Sequence, residues 1–250
     1  MITRVKTTEE IVAMRESGKM LATVLDVLKN RIAANMSTKD LAEMAKTELR
    51  ALGGQPTFLG YFGFPDVLCV SVNDEIVHGI PSSKHVIVPG DIVSLDFGVT
   101  YKGMITDAAI SVIIGSTDDK TKKLVTETQR ALMDGVSVVR AGIKVGDISQ
   151  VVQSRLDDGK YGIVRDLVGH GVGHQLHEDP NIPNYGKKGT GMTLLAGMTV
   201  AIEPMATLGD YKIKTDLDGW TIRTLDGSLA AHFEHTILVT HDGFEILTLL

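Results

Sequence analysis

The sequence repeats itself at an offset of 107 residues, and a chain that does so is expected to fold as two related halves. Ala34, Asp40 and Leu41 recur as Ala141, Asp147 and Ile148, and the same offset carries Asp96 onto Glu203. Each half reads helix, helix, β-hairpin, with an acid on the first strand of the hairpin. The repeat is weak in identity, and the acids are what give it weight. The class is α+β, in a single domain over 1–250, with halves at about 1–115 and 116–250.

Thr7-Thr8-Glu9-Glu10 is a helix start, followed at helical spacing by Ile11, Met14, Gly18, Leu21, Leu25 and Leu28. Ser37-Thr38-Lys39-Asp40 opens a second helix that stops at Gly53-Gly54. Phe58, Tyr61, Phe62 and Phe64 crowd an irregular stretch, Val67 to Val72 reads as a buried strand, and Asn73-Asp74-Glu75 as a turn before His78. In the second half a helix spans Thr121 to Arg140, and another starts at Asp147-Ile148 and ends by Gly159.

Between Ile92 and Thr100 alternation puts Val93, Leu95, Phe97 and Val99 on one face and Ser94, Asp96 and Gly98 on the other. The chain returns as Met104 to Ile114. A two-residue turn at Tyr101-Lys102 sets Asp96 directly opposite Asp107, and any slip that keeps parity leaves both on one face. Opposed like charges destabilise a ladder, so a shared proton or a cation has to offset them. The corresponding partner of Glu203 is Glu234. Those two acids are 31 positions apart against 11 for the first pair, an insertion of 20 that holds the only tryptophan, Trp220.

Gly169-His170-Gly171-Val172-Gly173-His174-Gln175-Leu176-His177-Glu178-Asp179-Pro180 is a poor helix and a poor strand. Glycine allows close backbone approach, and histidine is both the commonest metal ligand and the usual acid or base near neutral pH. The plain alternative is a surface loop with solvated histidines. Two aspartates, two glutamates and a histidine suit a pair of divalent ions. Between two such ions the pKa of a water falls from 15.7 toward about 7, which makes a hydroxide able to attack a carbonyl. Taken singly, each acid reads better as a solvated strand residue; it is the four together, in symmetric positions, that point to a site. The aromatic stretch likewise reads as ordinary core.

A net charge of −6, with no cluster of Lys or Arg, argues against a nucleic-acid surface. The single cysteine, Cys69, excludes an internal disulfide and fits a reducing compartment. Met1-Ile2-Thr3-Arg4 leads into polar residues rather than an apolar signal core, and there is no run of 18 apolar residues. A cytoplasmic protein without a membrane partner is expected.

The ordered set His78, Asp96, Asp107, His170, His177, Glu203 and Glu234 resembles that of the methionine aminopeptidases in their type I, bacterial-like form. The words around it match as well: Asn73-Asp74-Glu75-Ile76-Val77-His78-Gly79-Ile80-Pro81, Gly169 to Gly173, His177-Glu178-Asp179-Pro180 and Glu234-His235-Thr236. The resemblance implies the pita-bread fold, with antiparallel sheets enclosing a metal pair and helices outside. It implies two divalent ions (Co, Mn, Fe or Zn), with Asp96 chelating one and Asp107 and Glu234 bridging both. His170 and Glu203 complete the second ion, and Glu203 also shuttles the proton.

By the same resemblance His177 stands near the scissile carbonyl and His78 near the amide nitrogen. Phe58, Tyr61, Phe64, Cys69, Leu176 and Trp220 form the methionine pocket, where Phe58, Phe64 and Leu176 depart from the residues usual in bacterial relatives. His174 has no role in the family pattern, and His232 shares a strand face with Glu234. The implied activity is removal of initiator methionine when the second residue is small, by a metal-bridging hydroxide. The implied partners are nascent polypeptide N-termini and, transiently, the ribosome, with a monomer expected. A proline-directed relative usually carries an extra N-terminal domain, for which an acid already at position 96 leaves no room. A non-catalytic relative is expected to lack ligands, and none is missing.

Overall fold

The computed structural model describes residues 5–250; Met1 to Arg4, and the expectation resting on them, lie outside the described residues. The first half runs α1 (Thr8–Arg31), α2 (Thr38–Leu52), β1 (Gln55–Pro56), β2 (Cys69–Val72), β3 (Glu75–Val77), β4 (Ile92–Tyr101) and β5 (Met104–Ile113). The second runs α3 (Asp119–Ser137), α4 (Val145–Asp158), β6 (Gly162–Ile163), β7 (Gly169–Gly171), β8 (Glu178–Ile182), β9 (Thr199–Ile202) and β10 (Met205–Thr207). It ends with β11 (Ile213–Thr215), β12 (Ile222–Thr224), β13 (Ala230–His232), β14 (His235–Val239) and β15 (Phe244–Ile246).

The helix starts are set by reciprocal caps. Thr7 accepts from the Glu10 amide while Glu10 accepts from the Thr7 amide, and Ser37 and Asp40 repeat the arrangement. Gly53 ends α2 at φ 82°, a left-handed position that suits glycine. The 107-residue offset recurs in these details. Asp147 holds the amide of Lys144 as Asp40 holds that of Ser37. The isolated bridges Ser37 to Val86 and Lys144 to Thr193 are displaced by the same offset at both ends. Helix α3 stops at Ser137, three residues before the expected Arg140, and α4 begins at Val145, two before Asp147.

Each half packs its helices on its own sheet. Leu21, Leu25, Leu28, Leu41 and Leu49 of α1 and α2 meet Val93, Leu95, Phe97 and Val99 of β4. Leu124, Leu132, Ile148 and Val152 of α3 and α4 meet Val200 and Ile202 of β9. In the first half β1 and β2 pair one edge of β4 and β5 the other; in the second, the order is β15-β14-β9-β7-β8. No helix among the described residues is long and apolar enough to cross a membrane.

The first hairpin corrects the expected register. The turn residues are Lys102 and Gly103, so Asp96 pairs with Ala109, and Asp107 with Gly98. Lys102 and Gly103 both have positive φ, 48° and 78°. Two left-handed residues are what a turn matched to strand twist requires, and glycine supplies one of them without strain. The shift is two residues, so parity holds and both acids keep one face. The glycine-histidine stretch also differs from expectation: its two ends are strands, β7 and β8. Glycine permits this, since a Cβ on Gly169 would lie 2.4 Å from the Ala201 oxygen and one on Gly171 2.2 Å from the Asp179 oxygen. The insertion between Glu203 and Glu234 contains its own hairpin, β11-β12, which pairs with β3 of the first half.

Candidate active site

The two hairpins are stitched along their facing strands. Asp107 N–H donates to Thr236 Oγ1, which donates in turn to the Asp107 carbonyl, and the backbones of Ala109 and Glu234 exchange both hydrogen bonds. One rung therefore runs Cys69, Asp96, Ala109, Glu234 across both halves. Residues opposed on a ladder share a face, so Asp96 and Glu234 flank Ala109 on one side, and Asp107 stands one pleat along from it. The β9–β14 register, continued by one residue past Ile202 and His235, sets Glu203 against Glu234. His170 reaches the same space from β7, opposite Ala201.

Asp107, His170 and Glu234 each offer a ligand atom, and those atoms lie within 4.8 Å of one another. Asp96 Oδ1, Asp107 Oδ1 and Glu234 Oε1 are buried without a hydrogen-bond partner. Burial, then the neighbouring carboxylates, pushes Asp96, Glu203 and Glu234 well above the usual carboxylate range. Burial also lifts Asp107, to about 7. Buried oxygens without donors and with crowded negative charge are the environment a cation relieves. His170 fits the same purpose. Its Nδ1 is 2.9 Å from the Gly171 carbonyl oxygen, which can only accept, so Nδ1 carries the proton. Nε2 then keeps its lone pair and faces Glu203 Oε1 at 3.4 Å. A histidine fixed this way through its other nitrogen is the usual form of a metal ligand.

The cavity of about 90 Å³ beside these acids has an apolar wall. Phe58, Phe64, Cys69 and Leu176 form one buried cluster, with Tyr61 and Trp220 packed against it. Phe64 meets Phe58 edge-on at 6.5 Å and Trp220 edge-on at 5.2 Å. His78 and His177 stand between wall and acids. Burial, then the charge of His177, lowers His78 to about 4, and burial lowers His177. All thirteen residues singled out from the sequence line this one cavity: His78, His177, Glu203, Asp96, Asp107, His170, Glu234, Phe58, Tyr61, Phe64, Cys69, Leu176 and Trp220.

The sequence profile of metallopeptidase family M24 matches residues 12–241. The chain belongs to metallopeptidase family M24. A methionine aminopeptidase of Clostridium acetobutylicum is 42% identical over 245 residues, 98% of each chain. Methionine aminopeptidase 1 of Bacillus subtilis is 43% identical over 243 residues, covering 97% of this chain and 98% of that one. The crystal structure of a methionine aminopeptidase from Thermotoga maritima superposes over the full length of both chains, with a TM-score of 0.98 at 44% identity. The fold of this M24 chain is the pita-bread fold.

Other histidines of the M24 chain sit where the sequence could not put them. His232 does not line the cleft. It is buried behind Glu203, with Nε2 3.6 Å from Oε2, and burial lowers it to about 3. His174 is half-buried, its Nε2 2.7 Å from Glu10 Oε1. Sequence reading missed Lys6, whose buried ammonium donates to Glu178 Oε2 at 2.6 Å. Glu178 Oε1 takes the amides of His174 and Gln175, so this pair braces the loop that carries Leu176 and His177. No local pattern signals a contact 172 residues apart.

Proposed function

We propose that this chain is a metal-dependent aminopeptidase that removes N-terminal methionine from nascent polypeptides when the second residue is small. The observation that carries the reading is the convergence of Asp107, His170 and Glu234 beside a closed apolar wall in one cavity. Asp96, Asp107, His170, Glu203 and Glu234 are the residues that would hold two divalent ions of the Co, Mn, Fe or Zn kind, an assignment supported by the orphaned oxygens and by the free Nε2 of His170. When bound there, such ions polarise a carbonyl and bring the pKa of water toward about 7.

The chain's own groups supply the rest. Tyr61 Oη is 2.8 Å from His177 Nδ1, and burial, then the charge of Asp107, raises the phenol; in the tautomer this mechanism requires, the hydroxyl donates to Nδ1. His177 must then carry its own proton on Nε2, and burial keeps the ring neutral at pH 7. That N–H is placed to donate to the scissile carbonyl oxygen as negative charge grows on it. His78 is neutral at pH 7 for the same reason and serves the leaving amide nitrogen. Glu203, which burial and then the charges of Asp96 and Asp107 lift well above the usual carboxylate range, carries protons between water and the leaving group.

The methionine side chain fills the space between Phe58, Phe64, Cys69, Leu176 and Trp220, and the free α-amino group lies toward the acids. Apolar fit of this kind discriminates by about 1–3 kcal/mol per methylene, so the departures at Phe58 and Leu176 tune preference and leave the chemistry intact. Nascent chains leaving the ribosome are the substrate population this implies, taken up by a monomer. The test is a panel of Met-Ala-Ser, Met-Leu-Ser and Ala-Pro peptides. Cleavage of the first, with the other two largely intact, is expected. Preference for Ala-Pro would move the activity to a proline-directed one.

A further inference from the structure

Arg223, in the middle of β12, reaches three carboxylates at once. Its Nε donates to Asp216, Nη1 to Asp74 at 2.8 Å and Nη2 to Glu75 at 2.6 Å. Asp216 follows β11 within the inserted hairpin. Asp74 and Glu75 lie in the turn and strand that lead directly to His78. Glu75 is buried, and its other oxygen takes the Val72 amide at 2.7 Å. Only a planar guanidinium presents donors along three edges in this way.

Beside the apolar packing of Ile213 and Ile222 on Ile76 and Val77, the polar contacts that set the hairpin's register on β3 are few. Its pairing with β3 consists of Ile222 with Val77 and Arg223 with Glu75, interrupted by an irregularity, and one further bond from the Thr224 amide to the Asp74 carbonyl. At its tip Asp218 caps the amides of Trp220 and Thr221. Trp220 then lies edge-on to Phe64 at 5.2 Å and to His78 at 6.3 Å. His78 itself is held at a left-handed φ of 59°. The guanidinium thus joins the segment that carries the indole to the segment that carries the imidazole.

We propose that Arg223 is a positioning residue for substrate selection. By tying Asp216 to Asp74 and Glu75 it fixes the inserted hairpin on β3, sets Trp220 against Phe64 and His78, and so shapes the apolar end of the cavity. Its effect on substrate rests on the methionine-pocket reading above; its effect on Trp220 does not.

Trp220 is the only tryptophan in the chain, so intrinsic fluorescence reports its setting without substrate or metal. Arg223→Met alone leaves Glu75 buried with its charge unpaired, which can unfold a protein; the double variant Arg223→Met, Glu75→Gln removes that charge as well. In the folded, metal-free double variant the emission is expected to shift to the red and its anisotropy to fall. Asp216→Asn is expected to give a smaller change of the same sign, and Arg223→Lys an intermediate one. With Mn²⁺ restored, KM for Met-Ala-Ser is expected to rise on the order of tenfold, with kcat kept within about twofold. An emission spectrum and anisotropy equal to the parent's in the folded double variant would overturn the proposal. Failure of the peptidase reading would show instead as no turnover by the parent, and the fluorescence would still decide the role of Arg223.

Discussion

His170 Nε2 faces Glu203 Oε1 at 3.4 Å, and it is the nitrogen that carries no proton. The contact is therefore not a salt bridge. Burial lowers the imidazole to about 3, and burial with the charges of Asp96 and Asp107 raises the carboxyl. A neutral imidazole offering a lone pair, beside a carboxyl whose protonated form is favoured by burial, is an arrangement that suits a ligand next to a proton carrier.

Glu203→Gln keeps the shape but removes both the proton carrier and one carboxylate of the metal-holding set, so the variant is assayed at saturating Mn²⁺. We expect kcat on Met-Ala-Ser to fall by about 10²–10⁴-fold, the usual worth of a positioned acid or base. KM and the melting temperature should change little. Steady-state kinetics check this, and a kcat within a few-fold of the parent's, on the order of ordinary surface effects, would remove Glu203 from the chemistry.

The metal-stripped protein should show the raised pKa of Asp107 as a pH-dependent loss of stability. Its folded value of about 7 exceeds the unfolded 3.8, so between those values the folded state binds the extra proton and stability falls as pH rises. The buried histidines act in the opposite direction: His78 at about 4 and His170 at about 3 give stability that is present above 6.5 and lost on acidification. A difference measurement separates the two. Urea unfolding of metal-stripped parent and Asp107→Asn is expected to show the parent losing ground steadily from pH 4 to pH 7. A constant difference would contradict the assignment.

Gly98→Ala tests the pocket wall from behind. A Cβ there would stand 2.7 Å from Phe58 Cε1 and 3.0 Å from Thr57 Cβ, so the ring has to move toward the cavity. We expect a destabilisation of about 1–3 kcal/mol together with a higher KM for methionyl peptides. Calorimetry and kinetics on the same preparation would show both. The same destabilisation with an unchanged KM would mean that Phe58 does not bound the site.

Lys6→Met leaves Glu178 buried with an unpaired charge, and breaking a buried pair costs about 3–5 kcal/mol. Adding Glu178→Gln should restore most of it, because glutamine still accepts from His174 and Gln175. A double-mutant cycle by urea unfolding reads the coupling. Additive effects would show that the pair does not act as a unit.

The parts of the molecule that were legible in the sequence are those set by short range or by repetition. Thr7 with Glu10 and Ser37 with Asp40 announced their helices because each cap closes within three residues. The shared face of Asp96 and Asp107 was legible because strand parity survives a two-residue slip, whereas their exact pairing was not, since it depends on which residues accept positive φ in the turn. Strands at Gly169–Gly171 and Glu178–Ile182 were hidden because glycine there serves close backbone approach rather than a bend. Arg223 and Lys6 were invisible for a different reason. Glu75 lies 148 residues from Arg223 and Glu178 172 residues from Lys6, and charge alone does not say which carboxylate a side chain will meet after folding.

The most direct test of the account is titration of Mn²⁺ into the metal-stripped protein, followed by calorimetry and by methionine release from Met-Ala-Ser in the same samples. Saturable binding that restores cleavage in step is expected, with both binding and cleavage lost in Asp107→Asn. Full cleavage of Met-Ala-Ser by the stripped protein, or tight binding of Mn²⁺ that leaves every peptide of the panel intact, would contradict it.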